Sequence, residues 1–175
     1  DTICRLKSRG VKIYDATCPS VKKIQALIKK LDRKKYLIII IGNEKHPEVV
    51  GLKEYGSRVC VFRETASYHL KNNNCYKSAV IGQTTLSFRD YLKSADSLLH
   101  ATNFKETVVY NTICRVTGER QEESAEISKM VDMVLVLGGK TSSNTTKLYE
   151  NCCRFNKRVF YIETMDELKK ISLEG

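Results

Sequence analysis

No hydrophobic run in this 175-residue chain approaches the roughly 20 residues a membrane-spanning helix needs; the longest extends only from Tyr36 to Ile41. No charged-then-apolar leader opens it either, so the expected location is the cytoplasm. Pairs of the CxxC kind are missing, and the seven cysteines are odd in number and irregular in spacing. Those features argue against a secreted disulfide framework. The thirty Lys and Arg outnumber the twenty Asp and Glu, giving a formal charge of +10, yet no nucleic-acid-binding motif accompanies them. Nucleic acid therefore ranks low among the acidic partners that such a charge suggests, and a phosphorylated metabolite or an acidic protein ranks above it. A nucleotide P-loop is excluded as well: Gly139-Lys140-Thr141 supplies its ending, but Val134 stands where the motif demands glycine.

The chain does have enough apolar residues, 42%, for a globular core of one domain or two small ones. Its most informative stretch is Val134 to Asn144. An aliphatic run like Val134 to Leu137 reads as a parallel strand buried on both faces, and ligands of open α/β sheets sit just past the carboxyl ends of such strands. Gly138 and Gly139 would let backbone approach a ligand, and Ser142, Ser143 and Asn144 offer neutral donors beside a helix start near Thr145, where anions are favoured. These residues equally suit simple helix capping, so both roles stay open.

Taken in order, the chain predicts a helical end at 2–8, a strand at 11–14 and a helix that opens at Pro19. A buried strand at 37–41 and a helix from Pro47 follow, then a strand at 58–62, a short helix at 64–70, and a strand at 78–81. Ser87 is positioned to cap a helix at 88–99. A strand at 107–110, a helix from about Gly118 to Met130, the strand at 134–137, a helix through 148–155, a strand at 159–162 and a final helix at 165–171 complete the pattern. Alternation of this kind predicts an α/β protein with parallel sheets and helical cover.

Two corner cysteines expose an internal repeat. Tyr14-Asp15 and Tyr110-Asn111 precede Cys18 and Cys114 by the same spacing, and Gly42 and Gly138 each follow their cysteine by 24 residues. Leu52 and Leu148 fall in register, as do His46 with Ser142 and Glu48 with Asn144; Glu64-Thr65 and Glu163-Thr164 each follow a short strand. One βαβα module is used twice, which points to a ligand shared between modules. Two thiolates alone make a poor iron–sulfur site, because such clusters take three or four protein ligands. Cys60 and Cys75 read as small hydrophobes, Cys4, Cys152 and Cys153 carry no site signal, and His69 and His100 read as ordinary surface residues.

Five ordered stretches carry a resemblance: Asp15-Ala16-Thr17-Cys18-Pro19, His46-Pro47-Glu48-Val49, Gln83-Thr84-Thr85-Leu86-Ser87, Ile113-Cys114 with Thr117, Arg120 and Gln121, and Ser142-Ser143-Asn144. Together they resemble the 4-hydroxy-3-methylbut-2-enyl diphosphate reductase family, also known as the LytB or penicillin-tolerance family. The resemblance implies three α/β modules around a [4Fe–4S] cluster, one cysteine from each, with Cys18 and Cys114 as two of the metal ligands. The family's first cysteine, in a Gly-Phe-Cys context, is expected upstream of Asp1, and a C-terminal phosphate loop is expected beyond the other end. Residues 1–17 then read as the remnant of a first module, 18–110 as the second and 111–175 as the third. The implied reaction removes an allylic hydroxyl from the diphosphate substrate with two electrons and two protons. Glu48 would be the catalytic acid, with His46, Thr84, Thr85, Ser142, Ser143 and Asn144 binding substrate and Arg120 and Gln121 bracing the Cys114 corner. An acidic electron donor such as ferredoxin or flavodoxin is the implied partner. A binding module for a phosphorylated ligand, or a basic nucleic-acid-associated domain, remain the alternatives.

Overall fold

The computed structural model describes residues 2–62 and 77–171. The readings at Glu64 to Leu70, His69 and Cys75 lie outside them. Helix α1 (Thr2–Ser8) comes first, and α2 (Pro19–Arg33) opens with proline at its first turn, where a missing N–H costs nothing. Strand β1 (Leu37–Ile41), helix α3 (Pro47–Lys53) and strands β2 (Val59–Phe62) and β3 (Lys77–Gly82) follow. Helix α4 (Phe88–His100), strand β4 (Glu106–Val109) and helix α5 (Arg115–Met130) lead to β5 (Val134–Leu137), α6 (Ser143–Cys152), β6 (Val159–Ile162) and α7 (Met165–Leu168).

All strand pairs are parallel, as the alternation requires. A four-stranded sheet runs in the order β2-β1-β3-β4, and β5 pairs with β6 in a second, two-stranded sheet. Successive residues of a strand face opposite ways, so β1 divides its isoleucines between two cores. Ile38 and Ile40 pack with Ile24, Ile28 and Leu31 of α2 and with Val49 and Leu52 of α3. Leu37, Ile39 and Ile41 pack on the other face with Tyr91, Ala95 and Leu98 of α4. Helical cover on both faces is what lets a purely apolar strand exist in water. No helix among the described residues is long and apolar enough to cross a membrane.

Five expectations need correction. Residues 11–14 form no strand: they pair in no ladder among the described residues, and Tyr14 is 79% exposed. A strand is defined by its partner, and aliphatic content cannot supply one. Strand β5 is buried on one face only, since α6 packs on one side, with α5 against α6, while Leu135 and Leu137 face outward. Helix α5 begins at Arg115, earlier than expected, because Cys114 occupies its N-cap; α6 likewise begins at Ser143, capped by Ser142, and ends at Cys152. Helix α7 stops at Leu168, short of Ile171.

Candidate functional site

Both cysteine corners are made the same way. The Asp15 carboxylate accepts the Thr17 N–H at 3.0 Å, and the Asn111 amide oxygen accepts the Ile113 N–H at 3.2 Å. Each is a turn in which a short polar side chain mimics backbone, and each hands the following cysteine to a helix N-cap. Lys22 lies 2.8 Å from the Asp15 carboxylate and, as the strongest influence, holds that group well below the usual carboxylate range. Neither Cys18 nor Cys114 makes a side-chain cap hydrogen bond. Ser20, two residues after Cys18, has its hydroxyl 3.8 Å from the Cys114 sulfur, so the two corners are neighbours despite 94 residues between that pair. The Thr117 N–H points at Cys114 and is the main reason its thiol lies below the ordinary value; the Thr117 and Ser20 hydroxyls add to it. Amide donors and a helix N-terminus favour thiolate, the form that binds metal.

Glu48 sits in the first turn of α3, half-buried, and both its oxygens are held by one residue. The Thr84 N–H donates to one at 2.8 Å and the Thr84 hydroxyl to the other at 2.7 Å. The Thr84 carbonyl in turn accepts the Cys114 N–H at 2.9 Å, so a single buried threonine joins the acid to the cysteine corner. His46 caps α3, its Nδ1 accepting the Glu48 N–H at 3.2 Å. An accepting Nδ1 puts the proton of the neutral ring on Nε2, which is then the ring's donor.

Ser142 caps α6 and accepts from the Thr145 N–H and hydroxyl at 3.3 and 3.0 Å, which leaves its own proton to donate. The Ser143 hydroxyl lies 2.9 Å from that of Thr85. Asn144 Oδ1 is buried without a hydrogen-bond partner among the described residues. That acceptor still needs a donor, while the first-turn N–H groups of α6 that Ser142 does not take remain free to meet an anion.

Two features escaped the sequence. Gln83, 1% exposed, accepts the Asn43 N–H at 3.0 Å and donates to Thr85 and Ser143 at 2.8 and 3.3 Å, tying three strand-end loops together. Its place at a strand end beside two threonines was the available signal. The repeated glycines serve packing rather than ligand approach. A Cβ on Gly42 would meet Gln83 at 2.8 Å and Val49 at 3.2 Å, and one on Gly138, whose φ is +154°, would meet Thr145 at 2.7 Å. Val49 and Thr145 hold the same position in the repeat, so in both copies the helix start rests directly on the glycine. Arg120 is exposed, and Gln121 braces α6, its carbonyl accepting from Asn151 at 2.6 Å, rather than the cysteine corner.

Residues 1–175 match the family described as LytB protein. This chain belongs to the LytB family. It is 38% identical over 180 residues to 4-hydroxy-3-methylbut-2-enyl diphosphate reductase of Nautilia profundicola, covering 100% of the chain and 63% of that protein. The same enzyme of Dictyoglomus turgidum is 41% identical over 164 residues, covering 94% of the chain and 57% of the relative. Two solved structures of family members agree. The Plasmodium falciparum reductase superposes with a TM-score of 0.77 at 25% identity, covering 98% of this chain and 54% of that one. Another, described as the terminal enzyme of the non-mevalonate pathway, gives 0.62 at 29% identity, covering 97% and 60%. The chain thus spans about three fifths of the length of the LytB relatives it matches.

The donor set can be tested against the iron–sulfur cluster that the family implies. Cys18 and Cys114 supply thiols from neighbouring corners, that of Cys114 biased toward thiolate, as such ligation needs. Among the described residues no group of three or more Cys, His, Asp or Glu is placed to hold a metal ion. The two cysteines fit as part of a ligand set, and the rest must come from elsewhere.

Proposed function

We propose that the whole protein containing this chain reductively dehydroxylates (E)-4-hydroxy-3-methylbut-2-enyl diphosphate in the cytoplasm. Each turnover breaks the allylic C–O bond, consumes two electrons and two protons, and releases one water with isopentenyl or dimethylallyl diphosphate. Cys18 and Cys114 hold two corners of a [4Fe–4S] cluster whose third ligand lies outside this chain, with 18–110 and 111–175 acting as two of three modules. Bound there, the cluster supplies electrons and a Lewis-acid iron. Glu48 delivers the proton to the departing oxygen, and Thr84 fixes both carboxyl oxygens so that the proton leaves in one direction. His46 donates Nε2–H to the diphosphate. Ser142, Ser143 and Asn144 grip it at the α6 N-terminus, and Thr85 orders it through Ser143. Electrons arrive from an acidic carrier protein such as ferredoxin or flavodoxin.

The observation that carries this reading is the Glu48–Thr84–Cys114 connection, which joins a carboxyl to the cysteine corner through one residue. In the whole protein, Glu48→Gln keeps the side chain's shape and removes the transferable proton. Turnover with an artificial reductant should fall about 100-fold or more while iron and sulfide content stays unchanged. Near-normal turnover would refute the assignment.

A further inference from the structure

The positive charge of this chain is concentrated. Residues 1–35 contain eleven Lys and Arg against three Asp and Glu, a net +8 of the chain's +10, and the remaining 140 residues carry only +2. Helix α2 accounts for much of it. Its inner face is Ile24, Ile28 and Leu31, and its outer face carries Lys22, Lys23, Lys29, Lys30 and Arg33, all exposed. Lys22 is paired with Asp15 and Lys29 lies over the Tyr55 ring, whereas Lys23, Lys30 and Arg33 have no acidic partner among the described residues. An unpaired cationic stripe of this length adds nothing to folding and repels itself.

The stripe borders a groove. Between the first half of α2 and the corner leading into α5 lies an open cavity of about 330 Å³, floored by Ile24, Leu27 and Tyr110 and flanked by Ser20, Lys23 and Arg115. Ser20 is two residues past Cys18 and Arg115 is the residue after Cys114, so the groove opens beside both metal-ligating corners at once. None of its lining residues belongs to the Glu48, Thr85 and Ser143 cluster, so an occupant here leaves the substrate positions clear.

We infer that this groove and the α2 stripe together form the docking surface for the acidic electron-carrier protein, a step that rests on the reductase reading above. Each encounter oxidises the carrier by one electron, two encounters serve one turnover, and the pair of electrons goes into the broken C–O bond with two protons to give water. Electron tunnelling weakens steeply with distance, so a carrier is useful only where it approaches the cysteine corners. Lys23 and Arg115 stand at that approach. The lysines farther along α2, about 10 Å from Lys23 to Lys30 at 1.5 Å per residue, set the carrier's orientation and raise its capture rate. A nucleic acid would also be attracted by charge, but it has no use for an apolar-floored groove beside the cysteine corners.

The test uses the whole protein with its cluster, a small acidic [2Fe–2S] protein as donor, and a reduced dye as a donor that needs no docking. Lys23→Glu with Lys30→Glu should raise the carrier's KM and its directly measured dissociation constant about tenfold, with dye-driven turnover and iron content unchanged. Lys157→Glu, an exposed control before β6, should change neither by more than about twofold. Raising salt should narrow the gap between the double variant and the parent, because exposed charges are screened over about 8 Å at physiological ionic strength. An unchanged carrier KM and affinity in the double variant, with dye-driven turnover intact, overturns the docking inference alone. Absence of dye-driven turnover in the unsubstituted protein sinks the reductase reading and takes the inference with it.

Discussion

In the four-stranded sheet every residue of β1 is buried and an apolar cluster grips it from each face; in the two-stranded sheet only Val136 of β5 is buried, and Leu137 is 69% exposed. The local plan is shared: an Asx turn, a cysteine N-cap, a helix, a strand, a glycine and a second capped helix, in the same register twice. What differs is the filling. Helix α2 buries Ile24, Ile28 and Leu31, while its counterpart α5 buries Thr117, Gln121 and Ser128 and meets α6 through amide contacts such as Asn151 to the Gln121 carbonyl. A repeated backbone grammar can therefore place two cysteines symmetrically and still give two lobes of unequal cohesion.

The sharpest way to break that comparison is to remove one aliphatic side chain from each sheet. Ile40→Ala should destabilise the chain by about 3–4 kcal/mol in urea unfolding, because it opens a cavity in a closed core. Leu137→Ala should cost less than about 1 kcal/mol, since most of that side chain already meets water. Equal losses would show that the second sheet is as tightly held as the first.

The glycines come next, and they test the shared part of the plan. Gly138→Ala combines an unfavourable φ with contact against Thr145 and should cost about 2–3 kcal/mol. Gly42→Ala meets Gln83 and Val49 without the backbone penalty and should cost about 1–2 kcal/mol by the same urea assay. A neutral Gly138→Ala would mean that α6 can lift from β5 freely, and that the two helix starts do not rest on their glycines alike.

How much of this was legible beforehand follows the range of the interactions. Proline at the first turns of α2 and α3, Ser87 at the start of α4 and the apolar run of β1 are local signals, and the fold class came from them. Residues 11–14 and Val134 to Leu137 look as aliphatic as a buried strand, but partner and cover are supplied from far along the chain, and no local pattern reports them. The candidate site divides the same way. Its residue types stood out by motif, whereas the Glu48 to Thr84 pair spans 36 positions and the Gln83 to Ser143 bond 60, separations at which spacing carries no information.

Gln83 is one link between the two sheets, beside the Thr85–Ser143 and Thr84–Cys114 bonds, and Gln83→Leu asks how far they are coupled through it. The substitution strands the Asn43 N–H and frees the Ser143 and Thr85 hydroxyls from their shared donor, at a cost of about 1–3 kcal/mol. Hydrogen exchange should quicken at the first turn of α6 and at Asn43 while β1 amides keep their relative protection. Acceleration spread evenly over both sheets would mean that they open as one unit and that the contrast between them is only one of burial.

The smallest effect separates the two lobes at the ends of their equivalent helices. Helix α2 closes with a Schellman turn: the Tyr36 N–H donates to the Leu31 carbonyl at 3.2 Å and the Lys35 N–H to the Asp32 carbonyl at 2.9 Å. The turn needs a left-handed residue, and Lys35 fills it at φ +66°. Helix α5 has no such turn; the Asn156 side chain donates to the Ser128 and Val131 carbonyls at 3.1 and 2.7 Å instead. Lys35→Gly removes a left-handed penalty of about 1–2 kcal/mol and loses about 0.5–1 kcal/mol to the greater freedom of glycine in the unfolded chain. A net gain of about 0.5–1 kcal/mol in urea unfolding is expected, and a loss would show that the Lys35 side chain contributes contacts that outweigh its strained backbone. Because the gain resides in the better-packed lobe, it should widen the difference in hydrogen exchange between β1 and β5 rather than protect both.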